Sequence, residues 1–408
     1  MFKSDGMFTL KERYKFLYHC VRAGSWYENN QNTDSKPWGG ISDSADRGRF
    51  VYEYKLPDFS ARAIGVWGQA TGIMGLLALH DRTGEKHYHD RAMLAAGYMN
   101  SLQYLDSRKK KSFGGFREQT PLDSWSFPRD AATGAFGLCA LYKKTGREEF
   151  LERARLFADW WIKYGTDDNA LPYITFDLDK EEGSNKFMTS PGEEEKNEDM
   201  IKDSRQAGST LFLYYLYKIT GEKKYIDEAM IPVLENVLKI YKRNPPGRFK
   251  EGFHGEVEVP AGKDDFALTA LMAGYLATKE KKFIDTAYER VKGLLNVMDE
   301  DGSFPAFGGT FISSIEMANF VELCEYENLP YDISEIKSSL RKSALFGLTL
   351  QETSNTDRRM FGGLYGQCHF GEGKNWIHHR STAYSIALYL RLEGKIEMPY
   401  LHCLHWQD

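Results

Sequence analysis

Acidic, arginine and histidine residues recur at one offset from a turn that the sequence repeats. Each turn has a threonine at the end of an apolar helical pattern and an aromatic residue five positions later, at Thr83, Thr145, Thr220 and Thr278. Residues that could transfer protons or bind anions lie about fifteen positions before Thr145, Thr220 and Thr278, and before the equivalent turn near Gly394. They are Arg129, Asp130, Asp203, Arg205, Asp264, Asp265, His378, His379 and Arg380.

Carboxylates and arginines at one position of a repeat fit the cleavage of a glycosidic bond in an anionic sugar. Such cleavage needs one carboxylic acid to protonate the leaving oxygen and a second carboxylate as base or nucleophile. An arginine can hold a uronate carboxylate through two parallel hydrogen bonds. We therefore predict Asp130 as the general acid, with Asp265, Glu118 or Glu256 as its carboxylate partner.

Further polar and aromatic residues occupy loops that could fold over the same opening. Arg62 lies six positions further out than its repeat equivalents, and Glu118, His254 and Glu256 belong to predicted loops. Aromatic residues in such loops suit the flat apolar faces of sugar rings. The predicted substrate-binding residues are Arg62, Trp67, Trp125, Arg129, Arg205, His254, Trp376, His378, His379 and Arg380.

Structural roles fit several of these residues as well. An acid at the start of a helix can be an N-cap, a role open to Asp203 and Asp264. An arginine can balance a neighbouring acid, and two adjacent histidines can pack inside a core. The shared offset favours a site, since caps alone would not require arginines and histidines at the same position.

The repeated turn predicts αα-hairpins and an all-α fold. A glycine after the threonine ends one helix, and the aromatic residue docks the next helix. The first helices are rich in Gly, Ala and large apolar residues, whereas the second helices carry charge on one face, as inner and outer rings should. Apolar periodicity predicts twelve helices, near 9–24, 61–81, 86–105, 130–144, 148–164, 205–219, 223–242, 265–278, 281–298, 313–327, 333–351 and 379–393.

Six inner and six outer helices close a ring if helix 9–24 pairs with helix 379–393. The sequence therefore predicts one (α/α)6-barrel domain over residues 1–408, with short β-hairpin loops at one rim. Inner helices of equal length are parallel in such a ring, so equal offsets predict one opening shared by Asp130, Arg205, Asp265 and His378.

Composition narrows the class of protein. The net charge is −5 with acids and bases interspersed, so no basic face for nucleic acid is visible. No apolar run approaches the roughly 18 residues of a membrane helix.

Five scattered cysteines without a C-x-x-C pair predict neither disulfides nor a metal site, and no cofactor motif occurs. We expect a cytoplasmic protein, or one whose leader was removed, and leave assembly into a homodimer open.

One stretch of the sequence resembles a known group of glycosidases. Arg129-Asp130 through Thr145-Gly146 to Phe150 resembles the catalytic region of the unsaturated uronyl and rhamnogalacturonyl hydrolases, which are six-hairpin glycosidases. This resemblance implies Asp130 as general acid/base. Pro128 and Arg129 replace the aromatic residue and second aspartate that precede the catalytic one in that family.

The chain as a whole is also similar to the β-glucuronidases of glycoside hydrolase family 154. That likeness lies in the length, in His378-His379-Arg380 near the last inner helix and in the arginines of the opening. It implies a glycoside hydrolase that removes a terminal glucuronic acid. Three alternatives stay open. They are an unsaturated uronyl hydrolase, a polysaccharide lyase or epimerase acting on uronates through His378 or His379, and a barrel that binds glycans without catalysis.

Overall fold

Twelve α-helices dominate the part of the chain that the computed structural model describes. It describes residues 6–33, 46–55, 61–186, 202, 204–241, 250–251, 257–258, 266–304, 309–354, 356–366 and 376–394, with backbone alone at 61–63, 240–241, 250–251 and 257–258. The helices are α1 (Leu10–Asn30), α2 (Val66–Thr83), α3 (Lys86–Ser101), α4 (Pro128–Thr145), α5 (Glu148–Tyr164), α6 (Leu211–Thr220), α7 (Ile231–Tyr241), α8 (Ala267–Thr278), α9 (Lys281–Leu295), α10 (Gly309–Glu327), α11 (Ser334–Gly347) and α12 (His379–Glu393).

Alternate helices form two concentric rings. The even-numbered helices α2, α4, α6, α8, α10 and α12 each contact the next one, and α12 contacts α2, which closes the inner ring. Each inner helix packs against an outer helix, and α1 packs against α12 across the closure. The architecture is an (α/α)6 barrel, which confirms the predicted fold class and the predicted pairing of the first and last helices.

The repeated threonines join each inner helix to its outer partner. The hydroxyl of Thr145 donates to the carbonyl of Leu141 at 2.7 Å and accepts from the backbone N–H of Arg147 at 3.3 Å. Thr83, Thr220 and Thr278 make the equivalent pair of hydrogen bonds. One side chain therefore hydrogen-bonds both a carbonyl in the last turn of the inner helix and a backbone N–H just before the outer helix. Since each turn is short, each outer helix runs antiparallel to its inner partner, so the inner helices are parallel. Their N-terminal ends lie on one side of the ring, here called the mouth.

Residue type decides which helix is inner. In α2 every residue from Gly68 to Leu79 is buried. A Cβ on Gly72 would lie within 3.0 Å of Phe50 and Tyr27, so small residues allow the close approach of neighbours. By contrast, α5 buries one face, with Phe150, Leu151, Ala154, Phe157, Trp160 and Trp161 turned inward. The amphipathic helix therefore belongs to the outer ring.

Three predicted helices differ from the observed elements. Residues 61–65 are not helical, because Ala61–Ala63 form a strand before α2. The helix predicted at 205–219 begins as a 3₁₀ helix, Ser204–Thr210. The helix predicted at 223–242 begins with a π-helical segment, Tyr225–Met230, just before Pro232. Because proline lacks an N–H and its ring clashes with the carbonyl four residues earlier, it disfavours a regular α-helical turn there.

Short strands lie beside the mouth in three small antiparallel sheets. The strands are β1 (Val51–Lys55), β2 (Ala61–Ala63), β3 (Trp125–Ser126), β4 (Thr175–Asp177), β5 (Glu182–Ser184), β6 (Lys250–Glu251), β7 (Val257–Glu258) and β8 (Trp376–His378). Their orders are β2-β1-β8, β3-β4-β5 and β6-β7. Strands β2, β3 and β8 directly precede α2, α4 and α12, so these sheets position the starts of three neighbouring inner helices. No helix in the described ranges is long and apolar enough to cross a membrane.

Candidate active site at the mouth

Asp130 lies in the first turn of α4 and is accessible from solvent. Pro128 is the first residue of the helix and Phe127 is at the N-cap position, so Asp130 is not the N-cap. Its side chain is 28% exposed, and its Oδ1 lies 3.4 Å from Nε of Arg129, which is itself 33% exposed. A carboxylate in this turn interacts favourably with the helix dipole. Asp130 and Arg129 therefore present opposite charges side by side at the mouth.

Glu118 joins the start of α4 to the start of α2. Its carbonyl accepts from the backbone N–H of Val66 at 2.7 Å, and its own N–H donates to the carbonyl of Trp125 at 3.1 Å. Its Oε1 would lie 2.8 Å from a Cβ on Gly65, so only glycine leaves room for the carboxyl group there. The side chain is buried. Glu118 thus lies between two inner helices and behind Asp130.

Burial and a neighbouring charge change the protonation of Glu118. Burial raises the pKa of this carboxyl well above its ordinary value, and the negative charge of Asp130 raises it further, against a hydrogen bond from the backbone of Phe127 that lowers it. Its Oε2 has no hydrogen-bond partner among the described residues. A buried carboxyl beside a more exposed one is a common feature of acid–base sites. Burial therefore favours the protonated form of Glu118.

A second group of side chains surrounds the start of α12. His378 is buried at the N-cap position, and its Nδ1 accepts from the backbone N–H of Arg380 at 2.9 Å. The ring of Tyr52 lies 4.4 Å away in a T-shaped arrangement. In the sheet, Glu53 of β1 is directly opposite both His378 of β8 and Arg62 of β2. The strand register therefore brings together residues that are far apart in the sequence.

Trp67 connects the two groups. It is the second residue of α2, directly after Val66, and is half-buried. The guanidinium of Arg380 lies 5.1 Å from its ring centroid, a cation–π distance. The rings of Tyr52 and Tyr384 lie 6.0 and 6.4 Å from it. The described part of the mouth is thus one polar and aromatic surface across α12, α2 and α4.

His379 has a structural role, which corrects the prediction that it binds substrate. It is fully buried, its Nδ1 is 3.1 Å from the hydroxyl of Tyr27, and its Nε2 is 2.7 Å from the hydroxyl of Thr71. Burial, together with the charge of Arg380, lowers its pKa to about 3. The neutral ring ties α12 to α1 and α2 and has neither nitrogen left for a ligand.

The predicted aromatic platforms differ in exposure. Trp125 is only 9% exposed and its ring lies 4.7 Å from that of Phe127, so it packs against the protein and offers little surface to a sugar. Trp376 is half-buried, 5.2 Å from the ring of His378. Arg205 is half-buried in the 3₁₀ helix, which packs against α4 and α8. Trp376 and Arg205 therefore remain candidates for substrate contact.

Some predicted site residues cannot be placed. Asp265, His254 and Glu256, together with Asp203 and Asp264, lie outside the described residues, as does the side chain of Arg62. Within the described ranges, no group of three or more His, Cys, Asp or Glu side chains could hold a metal ion.

Glu53 and Tyr52 lie beside His378 but were not among the residues predicted from the sequence. The segment Val51–Lys55 has the tyrosines and valine typical of a strand, a signal that could have revealed β1. Its partner in the sheet, β8, follows more than 300 residues later, so sequence alone did not connect Glu53 with His378.

The barrel is similar to solved structures of sugar-converting enzymes. No protein-family model and no curated protein matches the sequence. A cellobiose 2-epimerase from Bacillus thermoamylovorans is 12% identical with a TM-score of 0.69, over 94% of this chain and 99% of that one. A family 76 glycoside hydrolase from a bovine Bacteroides thetaiotaomicron strain is 16% identical with a TM-score of 0.65, over 93% and 77%. A D-mannose isomerase is 13% identical with a TM-score of 0.66, over 93% and 96%. At these identities the likeness establishes the fold.

Proposed function

We propose that the chain is a carbohydrate-active enzyme that binds its substrate at the mouth, across the starts of α2, α4 and α12. The carboxyl pair Glu118 and Asp130 carries this proposal, because one partly exposed and one buried acid hold a transferable proton beside arginine and aromatic side chains. The names of similar barrels, a sugar epimerase, a sugar isomerase and a glycoside hydrolase, agree with a sugar as substrate.

Hydrolysis of a glycosidic bond is the reaction that this pair suits best. Asp130 is the exposed member and can reach a bound sugar, so it would pass the proton held by the buried Glu118 to the glycosidic oxygen. The C–O bond to the leaving group breaks as that oxygen takes the proton, and water supplies the new bond to the sugar. Asp265 or Glu256 is the proposed second carboxylate.

A terminal glucuronic acid is the proposed substrate group. Arg129, Arg205 and Arg380 are half-buried at the mouth, where their guanidinium groups could bind a carboxylate. Removing one partner of such a pair costs about 2–5 kcal/mol. An aryl β-glucuronide should therefore be cleaved at least ~10-fold faster than the matching β-glucoside. Equal kcat/KM for the two glycosides would contradict this specificity and leave the hydrolase proposal to the next experiment.

Replacement of Asp130 tests the proposed acid. Asp130→Asn keeps the size of the side chain but removes the transferable proton, so kcat on a disaccharide should fall about 10²–10⁴-fold. The loss should be smaller for an aryl glycoside, whose leaving group needs little protonation. Glu148→Gln is the matched control, since Glu148 is a first-turn acid of the outer helix α5. Normal turnover of Asp130→Asn on the disaccharide would exclude this role.

Epimerisation or isomerisation is a second candidate, favoured by the placement of His378. Its buried ring lies beside Tyr52, opposite Glu53 in the sheet, and epimerases and an isomerase share this barrel. Such a reaction removes a proton from a sugar carbon and returns one. Incubation with cellobiose or D-mannose in deuterium oxide would therefore place deuterium on that carbon, which hydrolysis does not do. Loss of the exchange in His378→Asn, with Asp130→Asn still active, would favour this reaction over hydrolysis.

A further inference from the structure

A chain of buried hydrogen bonds links three inner helices inside the barrel. Oε1 of Glu316 on α10 accepts from the backbone N–H of Thr269 on α8 at 3.3 Å. Nδ2 of Asn319 donates to the hydroxyl of Thr269 at 3.0 Å. Arg391 on α12 donates to Asn319 and to Glu322. All five side chains are buried. Because buried polar groups are costly unless they are paired, this chain constrains how α8, α10 and α12 meet.

The contact with Glu316 falls on a helix start whose N-cap residue, Phe266, makes no side-chain hydrogen bond. Thr269 is the third residue of α8, so its N–H has no acceptor within the helix. Glu316 supplies an acceptor from the neighbouring helix. A side chain of α10 therefore helps to hold the first turn of α8.

Phe266 adds strain at the same point. Its φ of 68° lies in the left-handed region, which a bulky side chain rarely adopts. Such a conformation persists only where the surroundings hold it, and it is most common at functional sites. The ring of Phe266 lies 5.1 Å from that of Tyr384, and Tyr384 contacts Trp67 at the mouth. The start of α8 therefore supports the aromatic surface beside Arg380.

We propose that Glu316 is a positioning residue for the site. By capping the first turn of α8 through Thr269, it holds Phe266, and through Tyr384 the substrate-facing Trp67, in the arrangement that the enzyme uses. The consequence for turnover rests on the proposed function, whereas the capping itself does not. Glu316 is assigned no contact with the substrate.

Two variants of Glu316 separate capping from charge. Glu316→Gln keeps a side-chain oxygen that can accept from Thr269, whereas Glu316→Leu is similar in size and has no acceptor. The matched control is Glu322→Gln, two helical turns further along α10, which alters the same chain of hydrogen bonds far from the mouth. Backbone amide hydrogen exchange of the peptide that covers residues 266–272 reports on the cap without any substrate. We expect exchange at least about 10-fold faster in Glu316→Leu and unchanged in the other two variants.

Turnover of an aryl β-glucuronide connects the cap with the site. We expect kcat/KM to fall about 10–100-fold in Glu316→Leu and less than about 3-fold in Glu316→Gln and Glu322→Gln. Unchanged exchange in Glu316→Leu overturns the proposal. Faster exchange with normal turnover overturns the positioning role. If the unaltered protein turns over none of the glycosides or sugars named above, the proposed function fails and the positioning role with it, while exchange still decides whether Glu316 is the cap.

Discussion

Burial separates two carboxyls that are close in space and lie only twelve residues apart in the sequence. Glu118 is buried behind Gly65, whereas Asp130 reaches solvent from the first turn of α4. Both residues carry a carboxyl group, so the difference in burial is what favours the protonated form of Glu118. The same principle separates adjacent histidines, because His379 is held between Tyr27 and Thr71 while His378 caps α12.

Glu118→Gln should stabilise the protein increasingly as pH rises. A carboxyl whose folded pKa is raised contributes stability below its ordinary value of 4.5, and that contribution is lost as pH rises toward the folded pKa. Glutamine does not titrate, so the stability gain should grow by at most about 1.4 kcal/mol per pH unit. Urea unfolding at pH 4, 6 and 8 measures it. A gain that is independent of pH would contradict the buried, protonated state of Glu118.

His379→Asn should make stability less sensitive to acid. The folded pKa of about 3 lies below the ordinary 6.5, so the neutral ring contributes stability above pH 6.5 that is lost as pH falls toward 3. The variant should lose about 1–3 kcal/mol at pH 7 through its missing hydrogen bonds. Its unfolding free energy should then change less than that of the unaltered protein between pH 6.5 and 4. If the unfolding free energies of the variant and of the unaltered protein change equally with pH over this range, His379 is not buried as a neutral ring.

At the scale of elements, glycines with a positive φ have two different roles. Gly146 (φ 66°) ends α4, and no atom lies within 4 Å of a Cβ built on it. Gly362 (φ 82°) instead lies against α1, where a Cβ would overlap the carbonyl oxygen of Arg22. Both have a backbone conformation that favours glycine, but only Gly362 is also confined by a neighbouring helix.

Alanine substitutions at these two glycines should therefore differ in cost. Gly146→Ala should lose about 1–2 kcal/mol, the cost of a left-handed conformation with a side chain. Gly362→Ala should lose several kcal/mol more, because α1 or its neighbouring loop must also move. Thermal unfolding of both variants measures the difference. Similar losses would show that the loop before β8 can move away from α1 at little cost.

Helices and turns could be predicted from the sequence where the residues that determine them are close together along the chain. The threonine turns, with their two hydrogen bonds and following glycine, gave nearly correct ends for the hairpins, as at Thr145 and Gly146. Glu53 was missed because its role depends on a strand that pairs with β8 far along the chain. The shared offset from the turn grouped His378 with His379, but His378 is the last residue of β8 and His379 is the first residue of α12. Which of the two is buried against α1 depends on tertiary packing.

At the scale of the whole molecule, an ion pair joins the two helices that close the inner ring. Nε and Nη2 of Arg82 on α2 donate to the two carboxylate oxygens of Glu393 on α12, at 2.9 and 2.8 Å. The side chain of Glu393 is only 4% exposed and that of Arg82 is 19% exposed. The pair therefore joins the first and last inner helices in a site largely shielded from solvent.

Replacing one residue of the Arg82–Glu393 pair should lower the free energy of unfolding more than replacing both. Arg82→Met leaves a buried carboxylate unpaired, which should cost about 3 kcal/mol, the low end for buried pairs because Arg82 keeps some solvent contact. The double variant with Glu393→Gln should recover part of that loss. A double-mutant cycle in chemical denaturation gives the coupling. Additive losses would show that the pair contributes little to closing the ring.

The pairing of α1 with α12 also determines when the barrel can be completed during synthesis. The buried face of α1, with Phe16, Cys20, Ala23 and Tyr27, has α12 as its main partner, yet α12 leaves the ribosome roughly 350 residues after α1. The nascent chain must therefore keep an apolar helix face uncovered while five of the six hairpins form. Ribosomes stalled before residue 379 should carry this face exposed to a chaperone, and release of the last helix should end that exposure in a single step.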